Sequence, residues 1–215
     1  MTPRGFTAAL LGAESTGKTQ LSEALRDALA AEGRDAVVVA EYLREFCMRE
    51  GRTPRRNEQQ GIAAEQTLRI ARAASRHDIV LADTTALMIA VYSDQIFDDS
   101  SLYAEAESAQ RRCHATLLTA LDLPWRADGL QRDGPHVREP VDARVRAALR
   151  RSGVAFSVVS GSGAERLSNA LIVLRRALDP PADDARSPRW RWTCERCGDA
   201  ACELHLGLSS QRPTV

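Results

Sequence analysis

The feature that most constrains the fold is an octapeptide near the N-terminus, Gly12-Ala13-Glu14-Ser15-Thr16-Gly17-Lys18-Thr19, which fits G-x-x-x-x-G-K-[ST] without a mismatch. An apolar run at 6–11 precedes it, and the spacing of an amphipathic helix follows it over 19–32. The two glycines let the backbone curl so that its N–H groups point inward at phosphate oxygens, and the following helix places its positive end at the same anion. The pattern predicts a phosphate-binding loop between a buried strand and a helix.

Lys18 is the only lysine of the chain, and the other 28 of its 29 basic residues are arginines. A compositional bias explains the arginines but not the position of the one lysine. A compact ammonium suits a crowded phosphate site better than a planar guanidinium does. We expect residues 12–19 to bind ATP, Lys18 to bridge its β- and γ-phosphates, and the Thr19 hydroxyl to ligate Mg²⁺.

The rest of the chain as far as residue 179 alternates buried strands with helices. Further strands are predicted at 36–40, 79–82, 116–121 and 155–159, and further helices at 41–50, 57–76, 86–95, 102–112, 141–151 and 165–178. Fully apolar strands are typical of parallel sheets that helices cover on both faces. The prediction is a three-layer α/β P-loop nucleoside triphosphate hydrolase/kinase fold with a parallel five-stranded sheet.

Asp83 directly follows the third apolar run. In proteins with this phosphate-binding loop, a carboxylate at that place lies beside the loop and orients Mg²⁺ directly or through water. Asp is also a favoured helix cap, so Asp83 has a purely structural interpretation as the start of the next helix. We predict the metal role because the loop lies upstream.

Several motifs accompany the loop: Glu41-Tyr42-Leu43-Arg44-Glu45-Phe46, Ala82-Asp83-Thr84, Asp122-Leu123-Pro124-Trp125 and Asp128-Gly129. Together they resemble the NadR-like P-loop proteins over about residues 5–179, and the named member of that family is a ribosylnicotinamide kinase domain. The resemblance implies a nucleoside-kinase-like fold, ATP as phosphoryl donor and a ribosyl-pyridine acceptor. The usual D-G-x-R appears here as Asp128-Gly129-Leu130-Gln131, with Arg132 one place later, and no adenylyltransferase or DNA-binding region is evident.

Acceptor residues are expected after the second strand, because carboxyl ends of strands face the ligand crevice in such sheets. We assign Glu41 to position or deprotonate the attacking hydroxyl, and Arg44, one helical turn on, to hold substrate or phosphate. The resemblance adds Asp128 to the substrate site. The alternatives are a helix-start charge for Glu41, worth roughly 0.3–1 kcal/mol, and a solvated helix face for Arg44.

The polar segment 124–140 is rich in Arg, Asp and Gly and long enough to suggest a lid. Arg126, Arg132 and Arg138 are its candidates for closing on the transferring phosphoryl group and excluding water. Arg132 is our first choice as the catalytic arginine. An arginine-rich polar loop that is simply solvated is the alternative.

The composition changes after residue 179, and 180–215 is interpreted as a linker and a small tail. Cys194, Cys197, Cys202 and His205 place four soft ligands within twelve residues, a spacing that suits tetrahedral Zn²⁺. Alternatives are a disulfide, which a cytoplasmic location disfavours, and a disordered tail with incidental cysteines. An iron–sulfur cluster would prefer a fourth cysteine.

Charge and hydropathy exclude several classes of partner. Lys+Arg and Asp+Glu both number 29, so no global field attracts nucleic acid or a membrane surface. No apolar run approaches the ~20 residues that span a bilayer, and no signal-peptide core is evident. We therefore expect a cytoplasmic protein that binds nucleotide and a small molecule, and homo-oligomer formation stays open.

Two functions fit these features. The first is a kinase that phosphorylates a nucleoside-like alcohol, with nicotinamide riboside as the leading acceptor. The second is an ATP-binding sensor or regulatory ATPase whose zinc tail contacts a protein or RNA partner. A guanine-specific GTPase is disfavoured because the sequence has no N-K-x-D motif.

Overall fold

The computed structural model describes residues 5–126 and 134–180, all but the last of which belong to the unit Met1–Asp179. Five strands form one sheet in the order β2-β3-β1-β4-β5, and every pairing is parallel. The strands are β1 Phe6–Leu11, β2 Ala36–Val39, β3 Ile79–Asp83, β4 Ala115–Thr119 and β5 Ser157–Val159. The predicted parallel five-stranded sheet is confirmed.

Seven helices alternate with these strands in the described residues: α1 Lys18–Ala31, α2 Tyr42–Glu50, α3 Gln59–Ala74, α4 Ala86–Phe97, α5 Tyr103–Gln110, α6 Arg138–Arg151 and α7 Gly163–Leu178. Alternate residues of β1 face opposite sides of the sheet. Ala8 and Leu10 pack with α1 and α7, whereas Ala9 and Leu11 pack with α2, α3, α4 and α6. Two cores on the two faces of one sheet make the fold three-layered. No helix in 5–126 or 134–180 combines the length and apolar composition needed to cross a bilayer.

The strand register brings three loops together at one edge of the sheet. β1 lies between β3 and β4, with Leu10 opposite Asp83 and Leu11 opposite Leu118. The chain therefore leaves these three neighbouring strands at nearly the same level. This carboxyl edge is where parallel α/β sheets bind ligands.

Most element boundaries differ from the predicted ones by one to three residues, and two of these differences bear on the site. β4 ends at Thr119 rather than at residue 121, and the polar loop does not extend to Pro140, because α6 already begins at Arg138. Pro140 lies in the first turn of that helix, where a missing N–H removes no helical hydrogen bond. Arg138 consequently belongs to a helix and not to a loop.

Candidate nucleotide-binding site

The loop 12–17 needs glycine at both of its ends. Gly12 has φ +151° and Gly17 has φ +74°, a left-handed conformation that side chains disfavour. A methyl group at Gly12 would also overlap the hydroxyl of Thr119. That hydroxyl lies 2.7 Å from Oγ1 of Thr16 and 3.1 Å from the carbonyl oxygen of Leu11. The hydroxyl of Thr119, at the end of β4, therefore holds the loop in place. The helix α1 begins at Lys18, directly after Gly17.

Lys18 and Thr19 lie where the motif predicts. The Lys18 ammonium donates hydrogen bonds of 2.9 Å to the carbonyl oxygens of both Gly12 and Ala13. The Thr19 hydroxyl donates to Oδ2 of Asp83 at 2.6 Å. The end of β3 and the start of α1 are thus joined at the mouth of the loop.

Asp83 is 2% exposed, and its Oδ1 is buried without a hydrogen-bond donor among the described residues. Thr85 rather than Asp83 caps α4, because Oγ1 of Thr85 accepts the N–H of Leu87. The helix-cap interpretation of Asp83 is therefore wrong. A buried carboxylate oxygen beside a hydroxyl matches the oxygen ligands that Mg²⁺ prefers.

Glu41 and Arg44 follow β2 at the same edge of the sheet. Glu41 precedes α2 but its side chain does not cap that helix, and its Oε2 lies 3.7 Å from Nε of Arg44. Gln66 is fully buried and contacts the residues that follow β2 and β3. Its Oε1 accepts the N–H of Tyr42 at 2.7 Å, and its Nε2 donates to the carbonyl oxygen of Thr84 at 3.3 Å. Gln66 thereby links the ends of β2 and β3. The sequence analysis did not identify Gln66, although a glutamine on the apolar face of the helix predicted at 57–76 could have indicated a buried polar contact.

A cavity of about 540 Å³, which we call the loop cavity, borders the phosphate-binding loop and is open to solvent. Its lining residues come from the phosphate-binding loop and α1, from α2, and from the segment after β4: Ser15, Thr16, Gly17, Lys18, Thr19, Gln20, Arg44, Leu123, Pro124 and Arg126. Arg44 is therefore a wall of the same cavity as Lys18. Glu41 lies next to that wall through its contact with Arg44.

A buried arginine that the sequence analysis missed holds the loop from the other side. Arg166 of α7 is 4% exposed and donates to the carbonyl of Thr16, to Oδ1 of Asp122 and to the carbonyl of Gly161, each at 2.8 Å. The Gly161 N–H in turn donates to Oδ2 of Asp122 at 2.6 Å. We call these four residues the Arg166 clamp. It joins the loop to the segments that follow β4 and β5.

The Asp122 carboxylate of the clamp is held in its charged form. Partial burial raises the pKa of the carboxyl, but the hydrogen bonds from Arg166 and from the Gly161 amide outweigh that effect. The pKa of Asp122 therefore lies below its ordinary value. Asp122 belongs to the motif Asp122-Leu123-Pro124-Trp125. Its described contacts, with Arg166 and Gly161, support the fold of the loop region.

The three candidate lid arginines have different surroundings. Arg126 lines the loop cavity, and its backbone is tied to Ser15, whose hydroxyl donates to the Arg126 carbonyl at 2.6 Å and accepts its N–H at 3.1 Å. Arg138 is buried and donates through Nη1 to the carbonyl of Leu123 at 2.9 Å. Arg132 and Asp128 lie outside the described residues.

The four predicted zinc ligands, Cys194, Cys197, Cys202 and His205, also lie outside the described residues. Within 5–126 and 134–180, no three His, Cys, Asp or Glu side chains cluster as a metal site. Zinc binding by the tail therefore stays a prediction.

Comparison with known proteins agrees with this architecture. A family model described as AAA domain matches residues 7–166. Two solved structures of NadR protein, one in complex with NR and one with NAD and AMP-PNP, resemble the chain with TM-scores of 0.69 and 0.63 at 18% and 15% sequence identity. No curated protein matches.

Both structural alignments cover 81% of this chain but only 52% and 49% of the NadR chains. The chain thus spans about half the length of these structures. At such identities the likeness is one of fold, and it confirms the NadR-like P-loop architecture that the motifs indicated.

Proposed function

Because the chain belongs to the AAA-domain family of the matching model, we propose that it is an ATP-dependent small-molecule kinase. It transfers the γ-phosphoryl group of Mg·ATP to a hydroxyl of a nucleoside-like acceptor. Nicotinamide riboside is the acceptor that we put first, since the motifs resemble those of NadR-like proteins and a NadR structure of the same fold contains NR.

The observation that carries the proposal is the composition of the loop cavity. Arg44 of α2 lines this cavity together with Lys18 and Thr19 and contacts Glu41, and the volume of about 540 Å³ is in the range of small-molecule sites. An acceptor in this space would lie beside the terminal phosphate, as in-line transfer requires.

The proposed roles follow from position. Lys18 binds the β- and γ-phosphates, while Thr19 and Asp83 would hold Mg²⁺, which neutralises phosphate charge when bound. Glu41 accepts or orients the proton of the attacking hydroxyl, and Arg44 holds the acceptor or the phosphoryl group. Arg132 and Asp128 retain the roles of lid arginine and substrate residue as part of the same proposal.

The test is ATP consumption by the full chain with and without a panel of nucleosides, nicotinamide riboside among them. We expect ADP formation that depends on an acceptor, together with a phosphorylated product detected by mass spectrometry. Lys18→Ala is the control for a contaminating kinase. ATP hydrolysis that no acceptor stimulates would contradict the kinase and favour the regulatory ATPase.

A further inference from the structure

Gln66 lies in the middle of α3, and its side-chain amide binds three backbone groups of two different loops. Besides the Tyr42 N–H and the Thr84 carbonyl, it binds the carbonyl oxygen of Ala40, to which Nε2 donates at 3.3 Å. Only this orientation of the amide serves all three groups, because a carbonyl oxygen accepts and an N–H donates. A fully buried amide needs such partners, so Gln66 and the two loops fix one another.

Two of the three bonds are made to the peptide groups on either side of Glu41. The Ala40 carbonyl belongs to the peptide before Glu41, and the Tyr42 N–H belongs to the peptide after it. Between them the backbone of Glu41 is extended, with φ −66° and ψ 109°, and the chain turns there from β2 into α2. Since both flanking peptides are bonded to one planar amide, Gln66 fixes the backbone from which the Glu41 carboxylate projects.

The third bond is made to Thr84, which has an unusual backbone conformation. Thr84 is 1% exposed and has φ +91°, a region that β-branched residues rarely enter. Such a conformation persists only where the surrounding structure holds it. Here the N–H of Thr84 donates to the carbonyl oxygen of Leu10 at 3.2 Å, and the Thr84 carbonyl accepts from Gln66. Thr84 is thus anchored to β1, the strand that leads into the phosphate-binding loop.

These bonds form a continuous route from β1 to Glu41. The ladder between β2 and β3 ends at Val39 and Ala82, so Glu41 lies beyond it. Past that point Gln66 joins the turn after β2 to Thr84, and Thr84 joins it to Leu10, two residues before Gly12. The position of Glu41 relative to the phosphate-binding loop therefore depends on one glutamine of α3.

We propose that Gln66 is a positioning residue for phosphoryl transfer, which holds the Glu41 carboxylate in place relative to the phosphates. The inference rests on the proposed function, in which Glu41 engages the attacking hydroxyl. Gln66 is fully buried and does not line the loop cavity, so it acts through Glu41 and not on the ligands. A reacting group that is misplaced by about 1 Å can lower a rate by about a hundredfold.

The first experiment compares Gln66→Met with wild type, because methionine has a similar length and tolerates burial but cannot make these bonds. We expect kcat with acceptor to fall by about tenfold to a hundredfold, and the Kd for ATP to stay unchanged, since Lys18 and Thr19 are untouched. Gln110→Met is the matched control. Gln110 is equally buried and bonds the hydroxyls of Thr85 and Thr116, so its loss should lower the unfolding temperature but not kcat. Wild-type kcat in folded Gln66→Met, or an equal loss in Gln110→Met, would overturn the proposal.

A double-mutant cycle with Glu41→Gln separates positioning from general loss of structure. If Gln66 acts through the Glu41 carboxylate, Gln66→Met should lower kcat little further once that carboxylate is gone. Two losses that multiply in the combined variant would show that Gln66 acts elsewhere.

Gln66→Glu is the second variant, because it keeps the shape and an acceptor for Tyr42 but lacks the Nε2 donors. It should show the same loss of kcat. Failure of both Gln66 variants to fold, with Gln110→Met folded, would make Gln66 a core residue and overturn the proposal.

Hydrogen-exchange mass spectrometry tests the turn without catalysis. The Tyr42 amide should exchange faster in Gln66→Met than in wild type or Gln110→Met, and unchanged exchange would contradict the role of Gln66 in holding Glu41. Absence of acceptor-dependent turnover in wild type would refute the kinase, and with it the catalytic use of Gln66. Faster exchange at Tyr42 would then still show that Gln66 holds the turn, so the two failures are distinguishable.

Discussion

The Lys18 ammonium turns back onto its own loop and donates to the Gly12 and Ala13 carbonyls. These two bonds contribute only about 1 kcal/mol each to stability, whereas the ammonium is the proposed contact to two phosphates. Lys18→Ala should therefore abolish phosphoryl transfer and leave the unfolding temperature within a few degrees of wild type. Turnover and thermal unfolding measure the two effects.

Lys18→Arg separates charge from shape. The guanidinium keeps the positive charge but not the compact form, so we expect it to restore little of the activity. Turnover of Lys18→Ala comparable with that of wild type would refute the assignment of Lys18 to the phosphates.

Glu41 is the residue on which acceptor chemistry depends in the proposal. Glu41→Gln keeps the shape of the side chain and removes its basicity, so kcat should fall by ~10²–10⁴. The Kd for ATP should change little, because the loop residues that bind phosphate are untouched. Steady-state kinetics and nucleotide titration of the same preparations test both statements, and an unchanged kcat would reduce Glu41 to a charge at the start of α2.

At the scale of elements, the Arg166 clamp joins α7 to the loop and to the segments that follow β4 and β5. Arg166→Met would leave the Thr16 carbonyl and the Asp122 carboxylate without this donor, and we expect a loss of about 2–3 kcal/mol in the free energy of unfolding. It should also raise the Kd for ATP, since the loop loses a support. Denaturant unfolding and nucleotide titration measure the two effects.

The matched control for Arg166 lies on the same helix. Arg175 of α7 forms an exposed ion pair with Glu32, and Arg175→Met should cost no more than about 1 kcal/mol. Equal losses in the two variants would show that the clamp does not specifically support the loop.

Asp122 gives the clamp a pH dependence. Its pKa is lower in the folded protein than in the unfolded chain, so its stabilising effect is complete above the unfolded pKa, near 4, and is lost as pH falls through the folded pKa. The difference in unfolding free energy between wild type and Asp122→Asn should therefore shrink as pH is lowered below about 4. Asp27→Asn, at an exposed carboxylate that pairs with its neighbour Arg26, controls for the loss of one charge. A difference that stays constant with pH would contradict the clamp's dependence on the Asp122 charge.

Elements whose signal is local were predictable from the sequence. The loop 12–19 is encoded in eight consecutive residues, and buried strands appear as apolar runs. The end of β4 was not predictable from the same signal, because Ala120 and Leu121 continue the apolar run although the ladder with β5 ends at Thr119 and Val159. The length of a strand depends on its partner as well as on its own hydropathy.

Contacts between distant parts of the chain explain the site residues that the sequence did not show. Arg166 reaches Thr16 across 150 positions, and Thr119 reaches the loop across 103. Neither residue belongs to a motif, and an arginine or threonine near a strand end has no local signal for such a role. Lys18, Thr19 and Asp83 were predictable because the motif and the end of β3 specify them locally.

At the scale of the whole molecule, we propose that residues 180–215 form a unit distinct from 1–179 and hold one structural zinc through Cys194, Cys197, Cys202 and His205. Four protein ligands close the coordination shell, so no catalytic position remains. So small a segment cannot bury a core, and the metal would supply its folding free energy. Elemental analysis of protein purified without chelator should give one zinc per chain, and removal of that zinc should leave ATP binding unchanged. Metal-free protein, or a Cys194–Cys197 disulfide under reducing conditions, would refute it.

The central position of β1 has a consequence for the synthesis of the chain. β1 is the first strand of this sheet to leave the ribosome, but its partners β3 and β4 follow about 70 and about 100 residues later, which at about 5–20 residues per second is a delay of several seconds or more. During that interval β1 has no strand to pair with, and its apolar side chains can aggregate or bind chaperones. Since Arg166 emerges later still, we expect a nascent chain to bind nucleotide more weakly until α7 has been synthesised.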